Sequence, residues 1–142
     1  MNRIAVIYWS GTGNTQMMAE AVAQGAKDAG AEVTLLSVSD TDAAAASSYD
    51  ALALGCPAMG GEVLEESEFE PFFSELEGKL SGKKVVLFGS YDWGDGQWMR
   101  DWAERTKKAG AILAADPLIV NLSPDADGKA KCRELGKALA DA

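Results

Sequence analysis

The sequence contains no histidine and only two cysteines, Cys56 and Cys132, among its 142 residues. Without histidine the usual general base is missing, and so are the Ser-His-Asp and Cys-His arrangements of nucleophilic catalysis. The two cysteines lie far apart and form no C-x-x-C motif, which argues against zinc, haem and thioredoxin-type sites. We therefore expect no metal site, two reduced thiols, and chemistry that a bound cofactor supplies.

Positive charge is also scarce, because 13 Lys and Arg stand against 22 Asp and Glu and leave a formal charge of −9. Such a chain repels the phosphates of nucleic acids and anionic lipid surfaces. The first apolar run, residues 4–9, is too short to span a membrane, and only three residues precede it. We predict a cytoplasmic monomer that binds neither nucleic acid nor membrane and whose protein partners present basic surfaces.

Apolar runs rich in Val, Ile and Leu predict five strands, over residues 3–8, 32–37, 50–56, 84–90 and 112–120. Between them, amphipathic patterns predict helices over residues 15–29, 68–80, 97–109 and 126–142. Gly30 and Gly110 are typical helix stops, and Ser67 and Glu70 have the spacing of a capping box. Residues 40–48 fit either a short helix or a loop.

Alternating strands and helices favour a parallel sheet with right-handed crossovers, and 47% hydrophobic residues suffice for one core. We predict a single α/β domain over residues 1–142, with three layers and a five-stranded parallel sheet of order 2-1-3-4-5 with helices on both faces. That order brings the loops after strands 1, 3 and 4 to the same edge of the sheet.

The loop after strand 1, Ser10-Gly11-Thr12-Gly13-Asn14-Thr15, opens a helix and is typical of a phosphate site. Its backbone amides and three hydroxyls meet at the positive end of a helix dipole. A P-loop would need a lysine where Asn14 stands, and the dinucleotide fingerprint would need a third small residue after Gly13. The loop therefore predicts binding of a phosphate monoester.

The loops after strands 3 and 4 are rich in glycine and carry a thioether and aromatic rings. Met59 or Trp93 alone would more often belong to a core, but their position in glycine-rich loops favours contact with a flat ring. Gly60 and Gly61 permit both type II and type II′ turns, so the peptide between them can flip.

Five segments together resemble the short-chain flavodoxins of the clostridial type: residues 8–15, 54–60, 62–66, 87–91 and 93–96. The resemblance covers nearly the whole chain and implies a flavodoxin-like fold and non-covalently bound FMN. It further implies a low-potential one-electron carrier that shuttles between semiquinone and hydroquinone and serves redox proteins such as ferredoxin-type reductases and oxidoreductases. Two alternatives stay open: an FMN-dependent NAD(P)H oxidoreductase of the same fold, and a module that binds FMN or phosphate without redox activity.

By this resemblance, Met59 and Trp93 enclose the flavin ring, Glu62 bonds its pyrimidine end and Gly60 offers its carbonyl to N5–H. The complete set of expected cofactor-binding residues is Trp9, Ser10, Gly11, Thr12, Gly13, Asn14, Thr15, Pro57, Ala58, Met59, Gly60, Gly61, Glu62, Ser90, Tyr91, Asp92, Trp93, Gly94 and Trp98.

Asp92 departs from the family pattern, which has a glycine between the tyrosine and the tryptophan. A side chain there could exclude a left-handed backbone, and its carboxylate disfavours further negative charge on the ring. Seven glutamates and no Lys or Arg lie between Glu62 and Glu77, and we expect this acidic segment to be a solvated face that attracts basic partners.

Overall fold

Apolar segments form the strands of a parallel sheet in the computed structural model, which describes residues 2–142. The central strand β1 (Arg3–Tyr8) pairs with β2 (Glu32–Ser37) on one side and with β3 (Ala51–Gly55) on the other. β3 in turn pairs with β4 (Lys84–Tyr91). The strand order β2-β1-β3-β4-β5, parallel throughout, confirms the predicted topology.

The fifth strand is not continuous, so the prediction of a single strand over residues 112–120 is wrong. It is divided into β5 (Ile112–Leu113), which pairs with the start of β4, and β6 (Leu118–Asn121), which pairs with its end. The last bond of the first part runs from the amide of Ala114 to the carbonyl of Val85 at 3.0 Å. Pro117 has no amide hydrogen with which to continue a ladder, so the chain leaves the sheet before β6 rejoins it.

The four predicted helices begin and end within one residue of their predicted ranges, except that the helix predicted over residues 68–80 ends earlier, at Leu76, and continues as a 3₁₀ turn over Glu77–Lys79. A fifth, shorter helix lies within residues 40–48. The helices are α1 (Asn14–Asp28), α2 (Ala43–Ser47), α3 (Phe69–Leu76), α4 (Gln97–Lys108) and α5 (Ala126–Asp141). Gly30 and Gly110, both with positive φ, end α1 and α4 as predicted. In residues 2–142 no helix combines the length and the apolar character that a membrane crossing requires.

Each central strand sends alternate side chains into two cores, one on either face of the sheet. Ile4 and Val6 pack with α1 and α5, whereas Ala5 and Ile7 pack with α3 and α4. Helices α1 and α5 approach so closely that a Cβ on Gly136 would lie 2.0 Å from the carbonyl oxygen of Val22. Cys132 is fully buried in this layer, where burial raises the pKa of its thiol to about 11.

The start of α3 is capped differently from the prediction. The hydroxyl of Ser67 does not cap the helix but donates to the carboxylate of Glu65. That carboxylate also accepts the amides of Ser67 at 2.8 Å, Glu68 at 2.8 Å and Phe69 at 2.9 Å. Glu70, the expected second member of the capping box, instead bonds Arg105 and Ser74. The buried Glu65 therefore caps the helix, because its carboxylate accepts three backbone amides at once.

Candidate functional site

A pocket of about 300 Å³ lies at the carboxyl ends of β1, β3 and β4, where the sequence predicts that three loops meet. It is lined by Trp9, Gly11, Thr12, Asn14, Pro57, Ala58, Met59, Ser90, Tyr91, Asp92 and Leu122. A wider open groove of about 700 Å³ lies elsewhere, beside Arg105. Its arginine is already paired with Glu70 and Glu77, so that groove offers no unpaired guanidinium.

The loop after β1 leaves helix amides available to an anion. The hydroxyl of Ser10 accepts the amide of Gly13 at 3.1 Å and thereby closes the loop onto the start of α1. Gly13, the N-cap residue, has no side chain with which to satisfy the amides of the first turn. Thr12 and Asn14 line the adjoining pocket. The donor set therefore fits a phosphate group at the positive end of the helix.

Thr15 lies behind this loop, in contact with the end of β4. It is 1% exposed, its hydroxyl is 2.9 Å from the hydroxyl of Ser90, and the amide of Ser90 donates to it at 3.4 Å. Thr15 is absent from the lining of the pocket, whereas Ser90 is part of it. Thr15 thus joins the phosphate-type loop to β4, and a direct contact of its hydroxyl with phosphate stays a prediction.

Trp9 connects the same loop to the start of α3. Its indole N–H donates to Oε1 of Glu68 at 3.2 Å. The ring also lies against the loop, because a Cβ added to Gly11 would be 3.0 Å from Cη2 of Trp9. The side chain is half-buried and lines the pocket, and its contact with the cofactor stays a prediction.

The loop after β3 forms a tight turn over residues 59–62. The amide of Glu62 donates to the carbonyl of Met59 at 2.9 Å, and the amide of Met59 donates to the carbonyl of Val63 at 2.9 Å. Gly61 has φ +81°, whereas Gly60 has no left-handed φ, which is the pattern of a type II turn. Glu62 follows in the left-handed region with φ +53°, so the turn carries local strain.

The side chain of Glu62 connects the two glycine-rich loops. Its Oε1 accepts the amides of Gly96 at 3.2 Å and Gln97 at 3.1 Å, at the N-terminus of α4. Gly94 permits this approach, because a Cβ there would lie 2.6 Å from the same oxygen. Glu62 therefore bridges the two loops through Oε1, and its other carboxylate oxygen, Oε2, can accept a further hydrogen bond.

The loop after β4 presents one tryptophan to solvent and buries the other. Trp93 is 62% exposed. Trp98 is 1% exposed, donates its indole N–H to the carbonyl of Cys56 at 3.2 Å, and packs against Tyr91 with ring centroids 5.8 Å apart. Tyr91 lines the pocket and Trp98 supports it from behind. Met59 lies on the loop after β3 and Trp93 on the loop after β4, together called the ring loops, and their enclosure of a flavin ring stays a prediction.

Asp92 accommodates its side chain without strain. It is exposed, lines the pocket and has no left-handed φ. The backbone of this loop is held by Asn121, whose side-chain amide donates to the carbonyls of Tyr91 at 3.3 Å and Asp92 at 3.4 Å. The backbone at Asp92 is therefore not left-handed, and the expectation that this side chain excludes a left-handed backbone used in the flavin contact stays a prediction.

The acidic segment is less uniformly solvated than we expected. Glu65 caps α3, Glu62 caps α4, and Glu70 and Glu77 pair with Arg105. The Arg105 hydrogen bond, opposed by partial burial, lowers the pKa of Glu70 below its usual value. The remaining exposed glutamates are Glu66, Glu68 and Glu75, so the solvated acidic face is smaller than the sequence count indicates.

Sequence reasoning missed Leu122, which lines the pocket from the loop after β6. The rule that loops at the carboxyl ends of parallel strands converge would have included it, because β6 lies beside β4. An isolated leucine in the polar run Asn121 to Asp125 was the available signal.

Known proteins are similar to this chain in both sequence and fold. The family model described as Flavodoxin matches residues 6–136. A flavodoxin of Clostridium beijerinckii is 52% identical over 136 residues, which cover 96% of this chain and 98% of that protein. A flavodoxin of Megasphaera elsdenii is 49% identical over 139 residues, covering 98% and 99%. The solution structure of the two-electron reduced Megasphaera elsdenii flavodoxin matches with a TM-score of 0.89 and 47% identity, covering 98% of this chain and 99% of that one.

Proposed function

Because this chain belongs to the flavodoxin family, and is therefore an electron carrier that uses FMN and has no substrate of its own, we propose that the pocket at the carboxyl ends of β1, β3 and β4 holds that FMN. One observation carries the assignment: a single pocket is lined from all three loops that the strand order brings together. When bound, the flavin supplies one-electron chemistry at low potential, and the protein supplies position and charge.

The phosphate end of the cofactor belongs at the start of α1. Ser10, Thr12 and Asn14 bring polar side chains to a helix N-terminus whose first-turn amides have no side-chain cap. An anion at such a position gains from the helix dipole and from charge-assisted hydrogen bonds. Gly11, Gly13 and Thr15 complete the loop that holds it.

The ring end belongs between the loops after β3 and β4. Pro57, Ala58 and Met59 line one side of the pocket, and Ser90, Tyr91 and Asp92 line the other. Trp93 offers an uncovered aromatic face that a ring can cover. The turn of Gly60 and Gly61 presents backbone carbonyls at the same edge, and Glu62 has a carboxylate oxygen left for a ring N–H.

Electrons leave the protein where the ring loops are exposed. Trp93, Glu66, Glu68 and Asp92 are exposed at or beside these loops, and the chain carries a net charge of −9. Carboxylates around the exit favour partner proteins with basic docking surfaces, including ferredoxin-type reductases and oxidoreductases. Association should therefore slow as the ionic strength rises.

We further propose that residues 1–142 act as one domain and as a monomer in the cytoplasm. The two helix layers pack on one continuous sheet. Both cysteines are buried free thiols, as is usual in a reducing compartment.

The phosphate assignment is tested by comparing FMN with riboflavin, which lacks the phosphate. We expect Thr12→Ala to weaken FMN binding by about tenfold to a hundredfold, because a hydrogen bond to a charged group contributes about 1.5–3 kcal/mol. The same variant should leave riboflavin binding unchanged. Thr41→Ala, at a half-buried threonine that is not part of the pocket lining, is the control. Dissociation constants come from titration of the apoprotein followed by flavin absorbance.

Failure would take two distinguishable forms. A wild-type protein that does not bind FMN, or that is reduced by NADPH alone at a catalytic rate, contradicts the carrier function. Equal weakening of FMN and riboflavin by Thr12→Ala would instead show that the ring, and not the phosphate, lies against this loop.

A further inference from the structure

Leu122 has three properties that rarely occur together. It is an aliphatic side chain that is 50% exposed, it lines the pocket, and its backbone lies in the left-handed region with φ +59°. Within residues 2–142, the other non-glycine residue with positive φ is Glu62, which connects the two ring loops. Strained backbone of this kind persists only where the surrounding structure imposes it, and it is frequent at ligand sites.

Hydrogen bonds to the loop after β4 impose the strained conformation. The amide of Leu122 donates to the carbonyl of Tyr91 at 2.8 Å. The side chain of Asn121 donates to the carbonyls of Tyr91 and Asp92 at 3.3 and 3.4 Å. Residues 121–122 are thereby attached to the backbone that forms one side of the pocket, and the leucine side chain stands at its lining.

We propose that Leu122 is a further flavin-binding residue, an apolar wall that contacts the ring system, and that Asn121 is the residue that positions it. This inference rests on the proposed function, because it needs FMN in the pocket. Covering the exposed half of a leucine removes apolar surface from water and so favours a flat heterocycle over solvent. The phosphate plays no part in this contact, which distinguishes Leu122 from the residues of the loop after β1.

The test compares three variants by titrating apoprotein with FMN and with riboflavin. We expect Leu122→Ala to weaken the binding of FMN and of riboflavin by the same factor. This factor should be about fivefold, because half a leucine side chain is then no longer covered by the ligand. Ile112→Ala is the matched control, because Ile112 is 51% exposed and pairs with the start of β4, at the opposite end of that strand. It should leave both affinities unchanged.

Leu122→Asn separates the contact from the fold. Asparagine tolerates the left-handed region better than leucine, so the urea midpoint of the apoprotein should not fall, whereas both flavin affinities should fall as in Leu122→Ala. Unchanged affinities in both Leu122 variants would overturn the proposal while leaving the carrier function intact. Loss of FMN affinity with riboflavin unaffected would also overturn it, because the effect would then act through the phosphate.

Discussion

The carboxylate of Glu65 makes the clearest single contribution to stability that the structure shows outside the cores. The residue is 4% exposed, and its two oxygens accept the amides of Ser67, Glu68 and Phe69. Its own amide donates to Sγ of the buried Cys56 at 3.4 Å. Glu65 therefore holds the start of α3 against the end of β3, directly after the turn at residues 59–62.

Replacing Glu65 by alanine removes a helix cap and leaves the buried amide of Phe69 without an acceptor. Loss of a cap costs about 0.5–2 kcal/mol, and an unsatisfied buried amide adds about 1–3 kcal/mol. The amides of Ser67 and Glu68 lie on exposed residues and can bond water instead. We therefore expect the free energy of unfolding to fall by about 2–4 kcal/mol, or a urea midpoint lower by about 1–2 M.

Glu65→Gln keeps one acceptor oxygen and should lose about half as much. Burial raises the pKa of Glu65, but hydrogen bonds from Ser67, Phe69 and Glu68 outweigh it and hold the pKa below its ordinary value of 4.5. A carboxyl with a depressed pKa stabilises the fold above that ordinary value and loses this contribution as the pH falls through the folded pKa. The difference between wild type and Glu65→Gln should therefore be full at neutral pH and shrink below about pH 4.5.

The assay is equilibrium unfolding of the apoprotein in urea at several pH values, followed by circular dichroism. Glu66 is the matched control, since it is the exposed neighbour of Glu65, and Glu66→Ala and Glu66→Gln should change stability by less than about 0.5 kcal/mol. The reasoning is refuted if Glu65→Ala and Glu66→Ala have the same midpoint. A difference between wild type and Glu65→Gln that does not change with pH would refute the electrostatic part alone.

Two predictions concern the ring loops. Asp92→Asn and Asp92→Gly should raise the potential of the second reduction step by about 20 mV, the effect of one exposed charge at roughly 7–10 Å in a medium close to water. Asp116→Asn, at an exposed aspartate away from the pocket, should leave this potential unchanged. A lower potential of the Asp92 variants on spectroelectrochemical titration would contradict the predicted sign. Gly60→Ala should leave the apoprotein as stable as wild type, because a Cβ at Gly60 meets no atom within 4 Å and the turn does not need a left-handed φ there. A type II′ turn needs a left-handed φ at Gly60. If the first reduction step flips the peptide between Gly60 and Gly61 into that turn, Gly60→Ala should lower the potential of this step by about 40–90 mV, corresponding to about 1–2 kcal/mol. An unchanged first potential would rule out the flip.

The sequence by itself determined which segments become strands and helices and which loops meet. β1 and β2 have the predicted bounds. For β1 the reason is that a buried parallel strand is a continuous apolar run, which is recognisable without knowledge of its distant partners. Helix stops at Gly30 and Gly110 are equally local, since only the backbone of the glycine is involved. Crossover handedness alone allows either doubly wound strand order, and the length of the chain favours the order 2-1-3-4-5, which brings the three loops to one edge.

Only the tertiary structure decided which of several suitable groups form each contact. Thr15 and Ser90 are 75 positions apart and share a hydrogen bond, and Arg105 draws Glu70 from the predicted capping box across 35 positions. Leu122 reaches the pocket because β6 rejoins the sheet beside β4 after the interruption at Pro117. Local patterns show what a residue can bond, but the choice among competing partners depends on which of them folding brings within hydrogen-bond distance and away from water.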